Sequence, residues 1–389
     1  MEKKNNWKAL IFVFILMILA AVIENTMGIF VPAFKAEFGV DDNSISNMFI
    51  INSAAYMLFT YIGGTLSEKI GQKKVYILGI IVSIASLLFL SRADNFTMLL
   101  IGLAFASGGV ALNAIASNTI IPIIVFTAQT IIMNMMHFFY AVGASGGQAL
   151  FGQLSGMGIG WRKIYFYLAM IYIIILIIFI FFKMPTKESK KSKNEKIKLN
   201  KLLKNPIIIY YMLGLGLYCF AEQGLGSWFT NYVSSSFNLD ASTGAMYTAI
   251  FFAVFALGRL LGGFVVQKTG YLNTVTVSLI LAAILVTIGI MLGEAGLIII
   301  SLSGIFFSIT FPTTVLTVGK VFTEKSSYVT GVVVTAVSFV IMFMNKIMGV
   351  LSDEIGAEKS FYLIPISLVL SAILMIILYN RTKDILVKK

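Results

Sequence analysis

The chain has little of what catalysis in water normally requires. Of its 389 residues one is cysteine, Cys219, one is histidine, His137, six are proline, and only 12% are charged. A lone cysteine closes no intramolecular disulfide, and Cys219 stands in an apolar stretch away from other metal ligands, which excludes structural zinc and dithiol chemistry. A lone histidine excludes the hydrolytic and metal-based mechanisms that need two or more imidazoles. No G-x-x-x-x-G-K-[ST] run is present, so ATP hydrolysis is not expected of this chain, and no cofactor is implied. What is abundant is apolar: 58% of residues belong to the hydrophobic set and the mean hydropathy is +0.93. Soluble domains average about 45–50% apolar and about 25% charged. The composition therefore specifies a membrane protein with no room for a large soluble domain.

Apolar runs between charged or Gly/Pro/Asn-rich breaks predict spans at 9–31, 46–66, 75–91, 97–120, 127–153 and 163–183, then at 207–231, 242–265, 272–292, 296–319, 327–351 and 360–380. The formal charge of +12 raises nucleic acid as a partner, but the cations alternate with the spans and instead report topology. With the N-terminus inside, the inner segments hold 22 Lys and Arg and the outer loops five: Lys35, Arg92, Arg162, Lys163 and Lys359. That positive-inside bias predicts cytoplasmic termini, a multi-pass protein of the cell membrane, and no nucleic-acid partner. The first apolar run lacks a small-residue cleavage site and reads as a retained helix. The lysine- and serine-rich stretch 184–205 cannot form a core and reads as a cytoplasmic linker between bundles at 1–183 and 206–389; its charge suits contact with anionic lipid.

The halves repeat one another. Gly63-Gly64-Thr65-Leu66-Ser67-Glu68-Lys69-Ile70-Gly71 and Gly262-Gly263-Phe264-Val265-Val266-Gln267-Lys268-Thr269-Gly270 share two glycines, a polar-plus-lysine pair and a closing glycine at identical spacing, each after the second span of its half. Glycines at a helix end let neighbouring helices approach, and the polar turn can hold a charge network that locks one conformation. Gly64, Glu68, Lys69 and Gly71, with Gly263, Gln267 and Lys268, are therefore candidate gating residues, and Arg259 joins them one turn earlier. Six spans repeated predict two pseudo-symmetric six-helix bundles rocking about a central, hydrated site.

On these residues the chain resembles the major facilitator superfamily, whose turn between spans two and three carries a pattern like Gly64 to Lys73 here, with Glu68 where that pattern has aspartate and Gln72 where it is usually basic. Asn25 to Pro32, Asn134 to His137 with Gly143, Glu222 with Trp228, Gly258-Arg259 with Gly262, and Phe306 to Thr313 are similar to the fucose, galactose and glucose:proton symporter family. The resemblance implies a sugar transporter, commonly proton-driven. The carboxylates of a fucose-transporting member are not carried over: Gly28 stands where it has an aspartate, and Asn113 or Ala114 near where it has a glutamate.

Five ionisable residues fall inside spans: Glu24, His137, Glu222, Arg259 and Lys346. Each costs about 2.5–3.5 kcal/mol on insertion scales unless paired or hydrated, so together they define the expected functional cluster. Glu24 and Glu222 are candidate proton-coupling acids. Asn25, Asn118, Asn134, His137, Trp228 and Lys346 are candidate substrate ligands, since amides and imidazole hydrogen-bond hydroxyls directionally and an indole can stack on a sugar face. Asn134, His137 and Tyr140 recur at threes and share a helix face. The expected activity is proton-coupled, alternating-access transport of a small hydroxylated solute, a sugar first, by a monomer; an exporter of amphipathic compounds on the same fold is the alternative. An embedded transferase built on His137 with either glutamate would need a fixed scaffold, whereas the duplicated turns favour a moving one, so an enzyme is not expected.

Overall fold

The computed structural model describes residues 6–125, 129–184, 204–322 and 326–387. The described residues form helices and turns and no strands, as lipid demands: with no water to satisfy backbone polar groups, a span must bond internally. In chain order the helices are α1 (Trp7–Phe38), α2 (Asp42–Ile70), α3 (Gln72–Leu90), α4 (Phe96–Ile124), α5 (Gln129–Gly156), α6 (Trp161–Phe181), α7 (Pro206–Phe237), α8 (Ala241–Thr269), α9 (Tyr271–Met291), α10 (Leu297–Leu302), α11 (Gly304–Phe307), α12 (Thr310–Val321), α13 (Ser326–Ile355), α14 (Ala357–Ser360) and α15 (Leu363–Val387).

Eleven helical runs among the described residues are long and apolar enough to cross a membrane, Gly293–Val321 counting as one. The twelfth expected crossing is α5, a 28-residue helix whose Gln129, Asn134, His137, Gln148 and Gln153 dilute its apolar content. Most helices outrun the apolar cores that predict them, because backbone bonding continues past the hydrocarbon until a cap stops it. Gly39, left-handed at φ 62°, ends α1 beyond Lys35 and Glu37. Asn6, Asn95 and Asn205 start α1, α4 and α7 by accepting the backbone N–H of Ala9, Met98 and Ile207.

The tenth crossing departs from a regular helix. It is built from α10, α11 and α12, with turns at Ser303 and at Ser308–Ile309. Pro312 has no N–H to give the Ser308 carbonyl, which places a break at the lower turn.

The described residues divide into two compact units. The first comprises those of Met1–Asp41, Asn47–Ser192 and Asp240–Ala249; the second those of Asp42–Ser46, Lys193–Leu239 and Ile250–Lys389. Within the first, α1 packs on α5 and α4, and α3 packs on α4 and α6. Within the second the same relations recur: α7 on α13 and α12, α9 on the tenth crossing and on α15. Small residues set these contacts. A Cβ on Gly143 would lie 2.4 Å from the Ile18 carbonyl oxygen, and one on Gly296 would lie 1.9 Å from that of Gly289.

The repeat is finer than the two halves. Gly71 (φ 83°, ψ 155°), Gly270 (φ 87°, ψ 156°) and Gly356 (φ 88°, ψ 156°) adopt one backbone conformation, and Gly158 has φ 81°. Each follows the second helix of a three-helix group, the pattern of three-plus-three repeats nested within each half. A side chain at these φ values is strained, so glycine is required there by the turn itself.

Each unit also contains the start of a helix that continues in the other. In the second, the Asp353 carboxylate at the end of α13 accepts the backbone N–H groups of Asp42 (2.9 Å) and Asn43 (2.7 Å), the first turn of α2. Asp42 accepts in turn from Ser352 (2.6 Å) and from Asn231 (3.2 Å). In the first, Gly152 and Gly156 of α5 seat Ala245 and Ser242 at the start of α8, and Ser145 donates to the Ala249 carbonyl (2.9 Å). Replacing Asp353 by alanine removes two charge-assisted N-terminal bonds from α2. The expected cost is about 1–2 kcal/mol, read as a lower melting temperature of the purified protein, with Asp353→Asn losing less.

Asp240, in the loop before α8 and outside both apolar crossings, is a second cap. The hydroxyl and amide of Thr243 donate to its carboxylate and hold it below the usual carboxylate range. A depressed folded-state pKa stabilises above the unfolded value and is lost as pH falls through the folded one. Asp240→Ala should therefore flatten the acid limb of a melting-temperature profile while costing no more than about 1 kcal/mol near neutrality, the side chain being exposed to solvent.

Candidate functional site

Two polar centres inside the crossings hold Glu24 and, with Arg259, Glu222, one centre in each unit. In the first, Glu24 lies near the middle of α1 and accepts a 2.5 Å hydrogen bond from the Tyr140 hydroxyl of α5, with Tyr56 of α2 within electrostatic reach. The neighbouring Asn25 turns its amide back to the Ala21 carbonyl (2.8 Å), while Gln148 of α5 donates to the Asn25 carbonyl (3.0 Å). His137 is partly exposed on the α5 turn that precedes Tyr140. Carboxylate and phenol thus meet between α1 and α5.

In the second, Glu222 lies near the middle of α7, partly exposed. The Tyr218 hydroxyl, one turn earlier, reaches both Glu222 Oε2 and the Phe307 carbonyl oxygen (2.7 Å) at the end of α11. The Arg259 guanidinium of α8 lies 4.4 Å from the centre of the Phe255 ring and within electrostatic reach of Glu222. An acid, a base and a phenol therefore meet beside the break in the tenth crossing.

Several sequence expectations take a different form. Trp228, expected as a stacking surface, is 1% exposed and donates its indole N–H to Asn345 Oδ1 (2.8 Å). Its ring is packed between α7 and α13, so in this conformation no sugar face can reach it. Lys346 donates to Asn43 Oδ1, close to the Asp42–Asp353 network. Arg259, grouped with the turn residues from its place in the sequence, faces Glu222. Asn118 is exposed on α4.

The glycine turns need a correction as well. Close helix approach is made by the first glycine of each pair, not by Gly64: a Cβ on Gly63 would meet Ile115 at 2.7 Å and one on Gly262 would meet Ile309 at 1.9 Å, whereas a Cβ on Gly64 meets nothing within 4 Å. Lys69, Gln267 and Lys268 are exposed, and Gly71 keeps the left-handed turn. The side chains of Glu68 and Asn134 and the surroundings of Gly263 lie outside the described residues. Asn113, which stands near where a fucose-transporting member has a glutamate, is 2% exposed and pressed against Gly79 in the α3–α4 interface.

Tyr218, the Phe307 carbonyl and Tyr56 do not stand out in the sequence. Tyr218 was accessible to a spacing argument, since it precedes Glu222 by four and shares its face. An apolar cavity of about 410 Å³ between α9 and α15 is lined by Ile280, Ile284, Ile288, Val369 and Ile373, with Thr287 its one polar lining residue, so it offers nothing to orient a hydroxylated solute.

Among the described residues, duplicated helical membrane crossings with charged residues at mid-span have the architecture of polytopic carriers. A family model described as Major Facilitator Superfamily matches residues 13–344 and 211–387, and the chain belongs to that superfamily; it is a membrane transport protein and not an enzyme. A Helicobacter pylori protein named as a glucose/galactose transporter is 23% identical over 386 residues, covering 92% of this chain and 93% of that protein. Bypass of stop codon protein 6 of Saccharomyces cerevisiae is 24% identical over 281 residues, covering 65% of this chain and 56% of its own length. Among solved structures, the nucleoside transporter NupG aligns with a TM-score of 0.75 at 14% identity, covering 95% of this chain and 99% of that one. The E. coli fucose:proton symporter FucP aligns with a TM-score of 0.64 at 19% identity, covering 95% and 98%. At these identities the solved structures show the shared fold.

Proposed function

We propose that the chain is a secondary active transporter of a small hydroxylated solute, a sugar first, driven by protons through alternating access. The observation that carries this reading is the pairing of the two mid-span acids. Glu24 and Glu222 each lie near the middle of the first helix of their unit, each partly exposed, and each bound by a tyrosine hydroxyl. A carboxyl held this way costs too much to keep in a membrane span for packing alone. Partial exposure gives it a route for proton exchange, and the phenol keeps it hydrogen-bonded in either protonation state. In this reading the Asn25 amide and the His137 imidazole, on α1 and α5, offer directional contacts for hydroxyls, and Asn134 joins them by its place in the sequence alone.

The names carried by the Helicobacter pylori relative and by FucP support the sugar; NupG's name supports a nucleoside, whose ribose is also hydroxylated. The distribution of lysine and arginine supports cytoplasmic termini in a cell-membrane protein, with 184–205 as the linker between bundles 1–183 and 206–389. The glycine turns, with Glu68, Lys69, Gln267 and Lys268, act as the gate in this reading, and the protein works as a monomer. The test is uptake of labelled galactose and glucose by proteoliposomes under an imposed pH gradient, with ribonucleosides in parallel. Accumulation that vanishes when a protonophore collapses the gradient is expected; uptake indifferent to that collapse would overturn the coupling.

A further inference from the structure

We propose that Tyr218 relays the protonation state of Glu222 to the break in the tenth crossing; this rests on reading Glu222 as a proton carrier. The Tyr218 hydroxyl has one hydrogen but touches two oxygens, Glu222 Oε2 and the Phe307 carbonyl at 2.7 Å. A carbonyl only accepts, and an ionised carboxylate only accepts. With Glu222 ionised, one tyrosine hydrogen cannot serve both. With Glu222 protonated, both contacts close at once: the carboxylic O–H donates to the tyrosine oxygen, and the tyrosine O–H donates to Phe307.

The competition in the ionised state has a definite winner. A charge-assisted bond to the carboxylate is roughly twice as strong as a neutral bond to a carbonyl, so the Tyr218 hydrogen turns to Glu222 and the Phe307 carbonyl is left without that donor. Tyr218 and Phe307 are each 0% exposed, so bulk water does not fill the place. The carbonyl affected is the last of α11, immediately before the Ser308–Ile309 turn, where Pro312 already withholds a backbone donor. Loss of the Glu222 proton thus loosens the turn at which Pro312 already withholds one backbone donor, and regaining it closes that turn. The proton passes between Glu222 and water; Tyr218 keeps its own hydrogen throughout and only redirects it. Arg259 of α8 supplies the counter-charge to the ionised carboxylate, and Cys219 is the other titratable group of α7 beside it.

The relay is tested on the full-length protein in nanodiscs without any solute. Infrared spectroscopy follows the carboxylic C=O band lost in Glu222→Gln across pH. Amide hydrogen exchange of residues 303–314 is measured at the same pH values and referenced to α9. In the wild type, exchange of 303–314 should rise severalfold as the band disappears. Glu222→Gln, whose side-chain amide still donates to Tyr218, should stay at the low level at every pH. Tyr218→Phe should keep the titrating band but lose the link between it and exchange. A pH step that persists in Tyr218→Phe or in Glu222→Gln, or that is missing from the wild type, overturns the relay. Uptake separates this from the parent reading. Gradient-driven accumulation lost in Glu222→Gln but kept with wild-type pH dependence in Tyr218→Phe removes the relay alone, and accumulation unchanged in Glu222→Gln removes Glu222 as carrier.

Discussion

Glu222→Gln should abolish uphill uptake while leaving solute exchange close to the wild-type rate. Glutamine preserves the shape of the side chain and a donor toward Tyr218, so the packing of α7 beside the tenth crossing is kept. What it removes is the dissociable proton and the charge that Arg259 faces. Exchange of internal for external solute needs no net proton movement and survives; accumulation does not. One pH unit across the membrane is worth about 1.4 kcal/mol per proton, or about tenfold accumulation for one proton per solute. The measurement is the steady-state ratio of internal to external labelled sugar under a one-unit gradient. It should fall from toward that tenfold limit to unity, with counterflow intact. Loss of counterflow together with accumulation would place Glu222 in solute binding or in folding instead.

The second large effect is structural and comes with its own control on the same helix. A Cβ at Gly143 of α5 would lie 2.4 Å from the Ile18 carbonyl oxygen and 2.7 Å from its Cα, atoms of the α1 backbone that cannot rotate away. At Gly146, three residues on, a Cβ meets nothing within 4 Å. Gly143→Ala must push α1 and α5 apart, at a cost of about 1–3 kcal/mol or more, and α1 carries Glu24 while α5 carries Tyr140. Gly146→Ala should be neutral or stabilising by up to about 1 kcal/mol through helix propensity. Melting temperatures in detergent give the comparison directly. A Gly143→Ala protein as stable as Gly146→Ala would show that the two helices are not in contact at that level. Uptake adds a second readout, since displacing α5 from α1 stretches the Tyr140–Glu24 bond and should reduce transport even in the surviving folded fraction.

The fold was legible because lipid makes the rule simple. Apolar runs long enough to span, broken by polar turns, admit only helices, and twelve runs in two similar sets imply a duplicated body. The gaps come from information the hydropathy pattern does not hold. Breaks within an apolar run are invisible to it, so the tenth crossing reads as one helix although Pro312 and Ser303 divide it. Helix ends expected from hydropathy fall short because it marks hydrocarbon and not backbone bonding, which continues in α1 until Gly39 terminates it. At the site, Glu24, Glu222 and Arg259 stand out because charge is scarce inside a span. Their partners are less legible: Tyr140 is placed by its spacing from Asn134 and His137 but not as the partner of Glu24, Tyr218 is one tyrosine among sixteen, and a backbone carbonyl such as that of Phe307 has no signature at all. Trp228 shows the reverse error. A tryptophan near a helix end suits both a ligand surface and a membrane belt, and only the Asn345 bond, across 117 positions of sequence, reveals a third use. The paired glycines are visible in the sequence as a repeated motif. Which of the two touches the neighbouring helix depends on rotational phase, and spacing alone does not supply that.

The exchanged helix starts carry a consequence for how this protein is put together. The first turn of α2 is capped by Asp353, more than three hundred positions downstream, and the first turns of α8 sit on glycines of α5 translated well before them. Severing the polypeptide at its middle would hand each fragment a hole where the opposite fragment's segment belongs. Neither piece made alone holds both sides of these contacts. Biogenesis in the ribosome's direction must therefore leave the α2 start without its cap until α13 has been inserted.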